Sequence, residues 1–299
     1  MRLIHLTDPH MSSIDAEKFS KLRGKRWSGY LSWRNNRRKQ FLPAVLKQLT
    51  GAIRAENADQ ILLTGDLVQI GLESEITQAT AWLDQLGPAE QVMLVPGNHD
   101  IYAKDSADAV YRAWSRYLFH GEQPDSAGSA NNFPVLRKLG KLSLIGLSSA
   151  CVTPVFMASG VAGQTQLDKL AGLLQQAANE GQLVCLLIHH PPLPDMTNRR
   201  KGLADADALQ AVLARHPPVL VFHGHLHHNR ELQWGDSRIY CTAAASSVSE
   251  SSYRVIDVED RIDCWAFRMR LKSVDIDDRG ELEFAVVDEQ TWQLPKNTG

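Results

Sequence analysis

Five short clusters of histidine, aspartate and asparagine stand out in this sequence of 299 residues. In chain order they are Asp8-x-His10, Gly65-Asp66, Gly97-Asn98-His99-Asp100, His189-His190 and Gly224-His225-Leu226-His227. Their carboxylate, imidazole and amide donors suit divalent metals such as Mn, Fe, Zn or Co. Cysteine is absent from all five clusters, which argues against a structural zinc site.

Seven side chains in these clusters are candidate metal ligands. They are Asp8, His10, Asp66, Asn98, His189, His225 and His227. Seven donors are too many for one ion, so the set fits two ions that share a carboxylate. Taken alone each cluster is an ordinary turn, and only the combination is specific.

The elements that must position these clusters follow from the hydrophobic pattern. Each cluster comes after a short apolar run that we predict to be a strand. These strands are Leu3–Leu6, Gln60–Thr64, 92–96, Leu183–Ile188 and Val219–Phe222. Because ligands of α/β sheets bind beyond the carboxyl ends of the strands, five such endings would converge on one polar site.

Helical spacing and alternation account for the remaining elements. We predict helices over 41–53, 75–86, 164–178 and 205–215, and a further strand over 142–147. Beyond residue 240 the pattern alternates like antiparallel strands, at 253–258 and 264–271, with turn chemistry at 277–280.

The order of the five clusters resembles the calcineurin-like metallophosphoesterase family, and the resemblance covers residues 8–227, about three quarters of the chain. It implies an α/β fold, a four-layer αββα sandwich of two mixed sheets flanked by helices. The implied ligands of one ion are Asp8, His10 and His227. Those of the other are Asn98, His189 and His225, with Asp66 bridging the two. His99 would face the substrate phosphate as the catalytic residue.

The implied reaction is hydrolysis of a phosphodiester by a hydroxide that bridges the two metal ions. Two cations neutralise the charge that develops on the phosphate and lower the pKa of the shared water. His99 would protonate the leaving group or stabilise charge, since an imidazole titrates near neutrality. Mn²⁺ or Fe is expected, with Zn²⁺, Co²⁺ and Mg²⁺ left open.

The motif after the second strand departs from that of the family's protein phosphatases, and this narrows the class of phosphoesterase. Protein Ser/Thr phosphatases carry Gly-Asp-x-Val-Asp-Arg-Gly after the second strand. Here Gln69 replaces the second acid and Ile70 replaces the arginine. This argues against a phosphoprotein phosphatase, favours the bacterial phosphodiesterase branch, and leaves open what orients His99.

A basic segment, residues 19–41, lies between the first two clusters. No acidic residue occurs from Lys18 to Ala55, and the rest of the chain carries a net charge of −13. Three interpretations remain open: an ordinary surface excursion, an amphipathic element on an anionic membrane surface, or a flap over a nucleotide. The cluster Arg199-Arg200-Lys201 would border the site and hold a further acidic group.

Two substrate classes compete. One is a cyclic nucleotide. The alternative is a lipid-linked pyrophosphate of the UDP-diacylglucosamine type, cleaved at the membrane surface, which the basic segment favours. A DNA nuclease is less favoured because the 72 residues after His227 are too few for a capping domain and coiled-coil arms. A non-catalytic scaffold is disfavoured because all ligand positions and His99 are present.

Composition sets the wider expectations. The chain is 43% hydrophobic, and we expect one domain over 1–294, with a C-terminal β region at 240–294 and a tail at 295–299. The four dispersed cysteines predict free thiols. No apolar stretch reaches ~18 residues and no leader is visible. We therefore expect a cytoplasmic protein, with peripheral contact at the inner membrane face left open. The expected partner is a small phosphoester, not nucleic acid.

Overall fold

The strands of this protein form two mixed sheets in the computed structural model, which describes residues 1–11, 14, 22–119, 128–276 and 282–296. The strands are β1 (Arg2–Leu6), β2 (Gln60–Leu63), β3 (Val92–Leu94), β4 (Val135–Leu139), β5 (Leu142–Gly146), β6 (Leu183–Leu187), β7 (Leu220–His223), β8 (Arg230–Trp234), β9 (Ser237–Cys241), β10 (Ser252–Asp260), β11 (Cys264–Ile276) and β12 (Leu282–Pro295).

Each sheet has six of the described strands. The first has the order β12-β11-β10-β1-β2-β3, with β1, β2 and β3 parallel and the other pairs antiparallel. The second has the order β4-β5-β6-β7-β9-β8, with β5, β6, β7 and β9 parallel and an antiparallel strand at each edge. The strands that precede the five clusters are therefore parallel neighbours within their own sheets.

Helices cover the outer faces of the sheets. They are α1 (Lys25–Ser32), α2 (Arg38–Gln40), α3 (Pro43–Ala55), α4 (Glu73–Leu86), α5 (Lys104–Ala113), α6 (Ser115–Phe119), α7 (Gln164–Asn179) and α8 (Ala206–Leu213). A π-helical turn, Trp33–Arg37, joins α1 to α2, and a 3-10 turn spans Ala130–Asn132. None of the described helices combines the length and the apolar character that crossing a bilayer would require.

Alternate residues along the strands of the second sheet face two different hydrophobic cores, which shows the layers of the sandwich. Leu144, Leu187 and Phe222 are buried in the core that the two sheets share. Their neighbours Ile145, Leu186 and Val221 are buried in a separate core against α7 and α8. Apolar residues of α3 and α4 pack on the first sheet within the shared core. The predicted four-layer α/β sandwich is thereby confirmed.

Each predicted helix and strand overlaps one in the structure, whereas α1, α5, α6 and β4 were not predicted. The hairpin of β8 and β9 was not predicted, because Arg230–Trp234 is mostly polar and carries little apolar alternation. The turn predicted at 277–280 and residues 297–299 of the tail lie outside the described residues. The division into one domain of 1–294 and a tail stays a prediction.

Candidate metal centre

The loops after β1, β2, β3, β6 and β7 bring the five clusters together. Five of the seven predicted ligands have a left-handed backbone, and their φ angles are 52° at Asp8, 40° at His10, 57° at Asp66, 70° at His225 and 60° at His227. This region is rare for residues other than glycine and costs about 1–3 kcal/mol each. The turn just beyond each strand aims the side chain inwards, at a cost in backbone energy.

Two glycines allow the loops to approach this closely. A Cβ at Gly97 would overlap the carboxylate of Asp66, and one at Gly224 would overlap Thr7 and the carboxylate of Asp8. Glycine is therefore required at both positions because a metal-facing carboxylate occupies the space of a side chain.

In the folded structure the predicted ligands form two ligand clusters. The first contains Asp8, His10, Asp66 and His227, whose ligand atoms lie within 4.8 Å of one another. Asp8 Oδ1 is 3.1 Å from His227 Nε2 and 3.6 Å from His10 Nε2. The other oxygen, Asp8 Oδ2, accepts hydrogen bonds from Thr7 Oγ1 at 2.7 Å and from the His225 backbone N–H at 2.9 Å. The carboxylate is thus fixed with Oδ1 towards the cluster.

The second cluster contains His189 and His225, with their rings 5.2 Å apart. Asn98 Oδ1 lies 3.2 Å from His189 Nε2, so the amide predicted as a ligand faces the same space. His189 Nδ1 donates to Thr64 O at 2.6 Å, which directs Nε2 inwards. A metal-binding histidine is commonly oriented by such a bond from its other ring nitrogen.

His190 also lies within 4.8 Å of this second cluster, but its ring is already engaged. Its Nδ1 is 2.8 Å from Ser149 Oγ and its Nε2 is 3.1 Å from Ala158 O. Burial, followed by the charge of His189, lowers the pKa of His190 to about 3. The neutral ring therefore accepts from the Ser149 hydroxyl and donates to Ala158, which is a structural role.

Asp66 stands between the two clusters. Its Oδ2 is 3.4 Å from His189 Nε2 and 3.9 Å from His10 Nε2, while Oδ1 accepts the His99 backbone N–H at 2.7 Å. Burial opposes ionisation, yet His189 and His99 hold the pKa of Asp66 well below its usual range. Asp66 in turn raises the pKa of His189 to about 9 against the effect of burial.

Two orphaned polar atoms test whether metal ions fit here. Asp8 Oδ1 and His225 Nε2 are buried and make no hydrogen bond among the described residues. Such atoms are costly to bury unless a partner satisfies them. One lies in each cluster, and both are types that divalent metals bind, so the donor set fits two ions.

His99 is oriented by backbone rather than by the missing acid. Its Nδ1 lies 2.5 Å from Gln69 O, and its ring stacks on Tyr102 with the centroids 5.7 Å apart. Arg37 Nη1 is 3.1 Å from His99 Nε2. Burial and then Arg37 lower the pKa of His99 to about 4, so the ring is neutral, donates from Nδ1 and accepts at Nε2.

The side chains of Gln69 and Asp100 hold loops and do not touch the His99 ring. Gln69 Nε2 donates to His10 O at 2.7 Å. The Asp100 carboxylate accepts the backbone N–H groups of Asp66, Leu67 and Gly97, each at 2.8 Å. Asp100 therefore holds the loops after β2 and β3 together.

Arg37 was not singled out from the sequence, although it belongs to the basic segment 19–41, of which 19–21 lie outside the described residues. The segment packs on the protein through Tyr30 and Trp33, which share a small core with Ile70 and Tyr102. The sequence offered one signal that this segment could bring an arginine to the site. The segment lies between the motifs Asp8-x-His10 and Gly65-Asp66, and it contains no acidic residue.

His5, His223 and His228 make hydrogen bonds within the protein and are not candidate ligands, and the cysteines are as predicted. His5 is buried and lies 2.9 Å from both Thr64 Oγ1 and Thr242 Oγ1. His223 Nδ1 lies 3.0 Å from Gly224 O and His228 Nδ1 lies 2.8 Å from Leu226 O, so neither ring points its Nδ1 at the clusters. All four cysteines are free thiols.

A mixed sandwich with an aspartate shared between two histidine clusters is the architecture of a metal-dependent hydrolase. The sequence profile of the calcineurin-like phosphoesterases matches residues 1–229, and the chain belongs to that family. It is a metallophosphoesterase with a site that fits two metal ions.

Known proteins resemble parts of the sequence. A probable cyclic nucleotide phosphodiesterase of Vesicomyosocius okutanii subsp. Calyptogena okutanii (strain HA) is 28% identical over 205 residues, which cover 67% of this chain and 76% of the relative. A second protein so named, from Synechococcus sp., is 27% identical over 181 residues, which cover 59% of this chain and 61% of that relative.

Solved structures share the fold at low identity. A dimetal phosphatase from Danio rerio superposes with a TM-score of 0.61 at 14% identity, covering 97% of this chain and 98% of that one. A purple acid phosphatase from yellow lupin seeds gives 0.59 at 14% identity, covering 97% of this chain and 53% of that one. The predicted family and fold are confirmed.

Proposed function

We propose that this protein is a dinuclear metal-dependent phosphodiester hydrolase acting on a small substrate such as a cyclic nucleotide. The observation that carries the proposal is the Asp66 carboxylate, whose Oδ2 faces His10 on one side and His189 on the other. In this proposal one ion is held by Asp8, His10 and His227, the other by Asn98, His189 and His225, and both by Asp66.

When bound, two such ions supply a nucleophile from water and neutralise the charge of the phosphate. The chain's own residues do the positioning. Asp8 turns Oδ1 inwards because its Oδ2 accepts two hydrogen bonds, and His189 turns Nε2 inwards because its Nδ1 donates to Thr64. Asn98 supplies a neutral oxygen, which binds a metal without cancelling its charge.

His99 and Arg37 serve the substrate in this proposal. The His99 ring keeps one proton on Nδ1 through Gln69 O, so Nε2 would have to take up a second proton before it could pass one to the leaving oxygen. Arg37 Nη1 lies beside that atom and would bind a phosphate oxygen, because a guanidinium forms strong charge-assisted hydrogen bonds with phosphate. A bound phosphate would also offset the positive field by which Arg37 lowers the pKa of His99.

The names of the relatives support a cyclic nucleotide as the substrate, at 28% and 27% identity. A second candidate is a lipid-linked pyrophosphate at a membrane surface. The observation that favours it is the exposure of Trp27 at 47% and Leu31 at 40% on α1, next to the exposed basic residues Arg23 and Arg34. Aromatic and basic side chains together suit an anionic lipid surface.

The first test is hydrolysis by metal-stripped protein with added Mn²⁺, using bis(p-nitrophenyl) phosphate beside p-nitrophenyl phosphate. Metal-dependent cleavage that is faster on the diester supports the proposal and leads to cyclic AMP and UDP-diacylglucosamine as the next substrates. A preference for the monoester would replace it with a small-molecule phosphatase. Metal binding with no hydrolysis of any phosphoester would point to a scaffold.

A further inference from the structure

A cleft of about 290 Å³ opens beside the metal centre. Asn98 and His99 line the part that adjoins the ligand clusters, and α1 and residues 156–158 line the walls. Phe156, which is 84% exposed, also lines it. The cleft therefore connects the catalytic histidine with solvent, on the side where His99 Nε2 would meet a leaving group.

The cleft carries positive charge without carboxylates. Among the described residues that line it, Lys25 and Arg37 are the lysine and arginine side chains, and no aspartate or glutamate lines it. Lys25 Nζ donates to Thr153 Oγ1 at 2.7 Å and lies 4.4 Å over the Tyr102 ring. Neither cation has a carboxylate within salt-bridge distance in the described part of the chain. A partly buried cation in this situation is stabilised by an anionic ligand.

The next residue along α1 shows that this arrangement is selective. Arg26 has a full set of partners, since it donates to Ile70 O, Gly71 O and the carboxylate of Asp105 at 3.1, 2.8 and 2.8 Å. The cation of α1 that faces the protein is thus paired with acceptors. Within the described ranges, the cation that faces the cleft contacts a hydroxyl and an aromatic ring, so its charge is available to a ligand that enters the cleft.

Tyr102 links Lys25 to the catalytic histidine. Its ring stacks on His99 at 5.7 Å between centroids and lies beneath Lys25 Nζ, while its hydroxyl donates to Lys25 O at 3.1 Å. The ammonium is therefore fixed beside the ring that stacks on His99, in the same cleft as that histidine.

We propose that Lys25 binds a second phosphoryl group of the substrate, on the leaving side of the scissile phosphorus. This inference rests on the proposed function and, of its two substrate candidates, favours the one with a second phosphoryl group, a pyrophosphate diester. The oxygen of water bonds to the scissile phosphorus and the bond to the bridging oxygen breaks. The attacking water gives up a proton, the departing phosphomonoester takes one up on the bridging oxygen, and Lys25 holds this leaving group.

The test compares the wild type with Lys25→Met and with the control Lys39→Met, whose side chain is exposed on α2. Each is assayed with Mn²⁺ on ADP-ribose, a pyrophosphate diester, and on bis(p-nitrophenyl) phosphate, which has no second phosphoryl group. Lys25→Met should lower kcat/KM on ADP-ribose about tenfold or more, the usual worth of a hydrogen bond to a charged group, and leave the other substrate nearly unchanged. Lys39→Met should change neither.

Binding gives a readout that does not need turnover. Calorimetric titration at equal free Mn²⁺ should show that Lys25→Met weakens ADP binding about tenfold but leaves AMP binding unchanged, because only ADP carries the second phosphoryl group. Equal effects on both nucleotides, or no effect on either, would overturn the inference. If the wild type cleaves neither ester, the proposed function fails, and the ADP titration still decides whether Lys25 forms this site.

Discussion

Arg37 Nη1 lies 3.1 Å from His99 Nε2, and this contact brings the basic segment to the metal centre. The arginine that follows the Gly-Asp motif after the second strand in protein phosphatases is replaced here by Ile70. Ile70 is buried with Tyr30 and Trp33. Arg37 brings a guanidinium to the site from another part of the chain. In our proposal it takes over the binding of phosphate.

Arg37→Met should lower kcat/KM on bis(p-nitrophenyl) phosphate by about 10- to 100-fold, the worth of a charge-assisted hydrogen bond. It should also raise the pKa of His99 from about 4 towards its ordinary value, because burial and Arg37 are what lower it. Steady-state kinetics and an NMR titration of the metal-free protein measure the two effects. Arg38→Met, which changes the exposed next residue, should do neither.

His99→Ala should reduce kcat by about 10²- to 10⁴-fold, the usual contribution of a proton-transferring group. Metal content should remain that of the wild type, because the His99 ring belongs to neither ligand cluster. Elemental analysis of the purified variant beside its kinetics tests both statements. Unchanged turnover in this variant would contradict the proposed mechanism.

Among the elements, α1 is attached to the site by one side chain in particular. Arg26 joins it to the loop after β2 and to α5 through Ile70 O, Gly71 O and Asp105. Removing these bonds should free α1 locally while the sheets remain intact.

Arg26→Met should therefore increase amide hydrogen exchange within residues 25–40. It should also reduce the contribution of Arg37 to kcat/KM. Exchange in β5, β6 and β7 should stay as in the wild type, because those strands lie in the second sheet and the bonds of Arg26 go to Ile70, Gly71 and Asp105. Arg23→Met is the matched control, since its side chain is exposed. Equal protection of 25–40 in both variants would show that Arg26 does not hold the helix.

A different ion pair stabilises the first sheet. Asp257 on β10 accepts from Arg2 Nε on β1 at 2.7 Å and from Arg270 Nη2 on β11 at 2.9 Å. Burial opposes ionisation, but Arg2 and Arg270 lower the pKa of Asp257. This stabilisation is present above the unfolded pKa of 3.8 and is lost as the pH falls through the lower folded value.

Asp257→Asn should consequently lower the free energy of unfolding at pH 7 by about 1–3 kcal/mol, so that it unfolds at a lower denaturant concentration than the wild type. The difference should shrink as the pH falls below about 3.8, because the wild-type carboxylate is then protonated as well. Urea unfolding at a series of pH values measures this. A gap that stayed constant down to pH 2 would argue against the ion pair as its source.

The sequence predicted the strands and the ligand clusters because both depend on short-range patterns, whereas the four-layer sandwich was implied by the resemblance to the family. Apolar runs define strands, and parallel strands bring the polar residues after them to one edge. Arg37 could not be placed in the same way, since its position depends on a π-helical turn and on the packing of Tyr30 and Trp33. The neutral state of His190 likewise depends on Ser149 and Ala158, which are distant in the chain.

For the whole molecule, metal binding and folding are coupled. The two clusters draw ligands from both sheets, so an ion bound there favours the folded state over the unfolded one. Added Mn²⁺ should raise Tm by several degrees and a chelator should reverse the change, as measured by calorimetry. Asp66→Asn should abolish most of this response, whereas Asp257→Asn should keep it, because that residue lies away from the clusters.

The left-handed backbone at five of the ligand positions also bears on how such a protein can evolve. Glycine at each position would relieve about 1 kcal/mol or more of steric cost. Selection for stability alone would thus favour the loss of Asp8, His10, Asp66, His225 and His227. A lineage that no longer needs the chemistry should therefore lose these ligands, because each loss relieves a steric cost that catalysis no longer offsets.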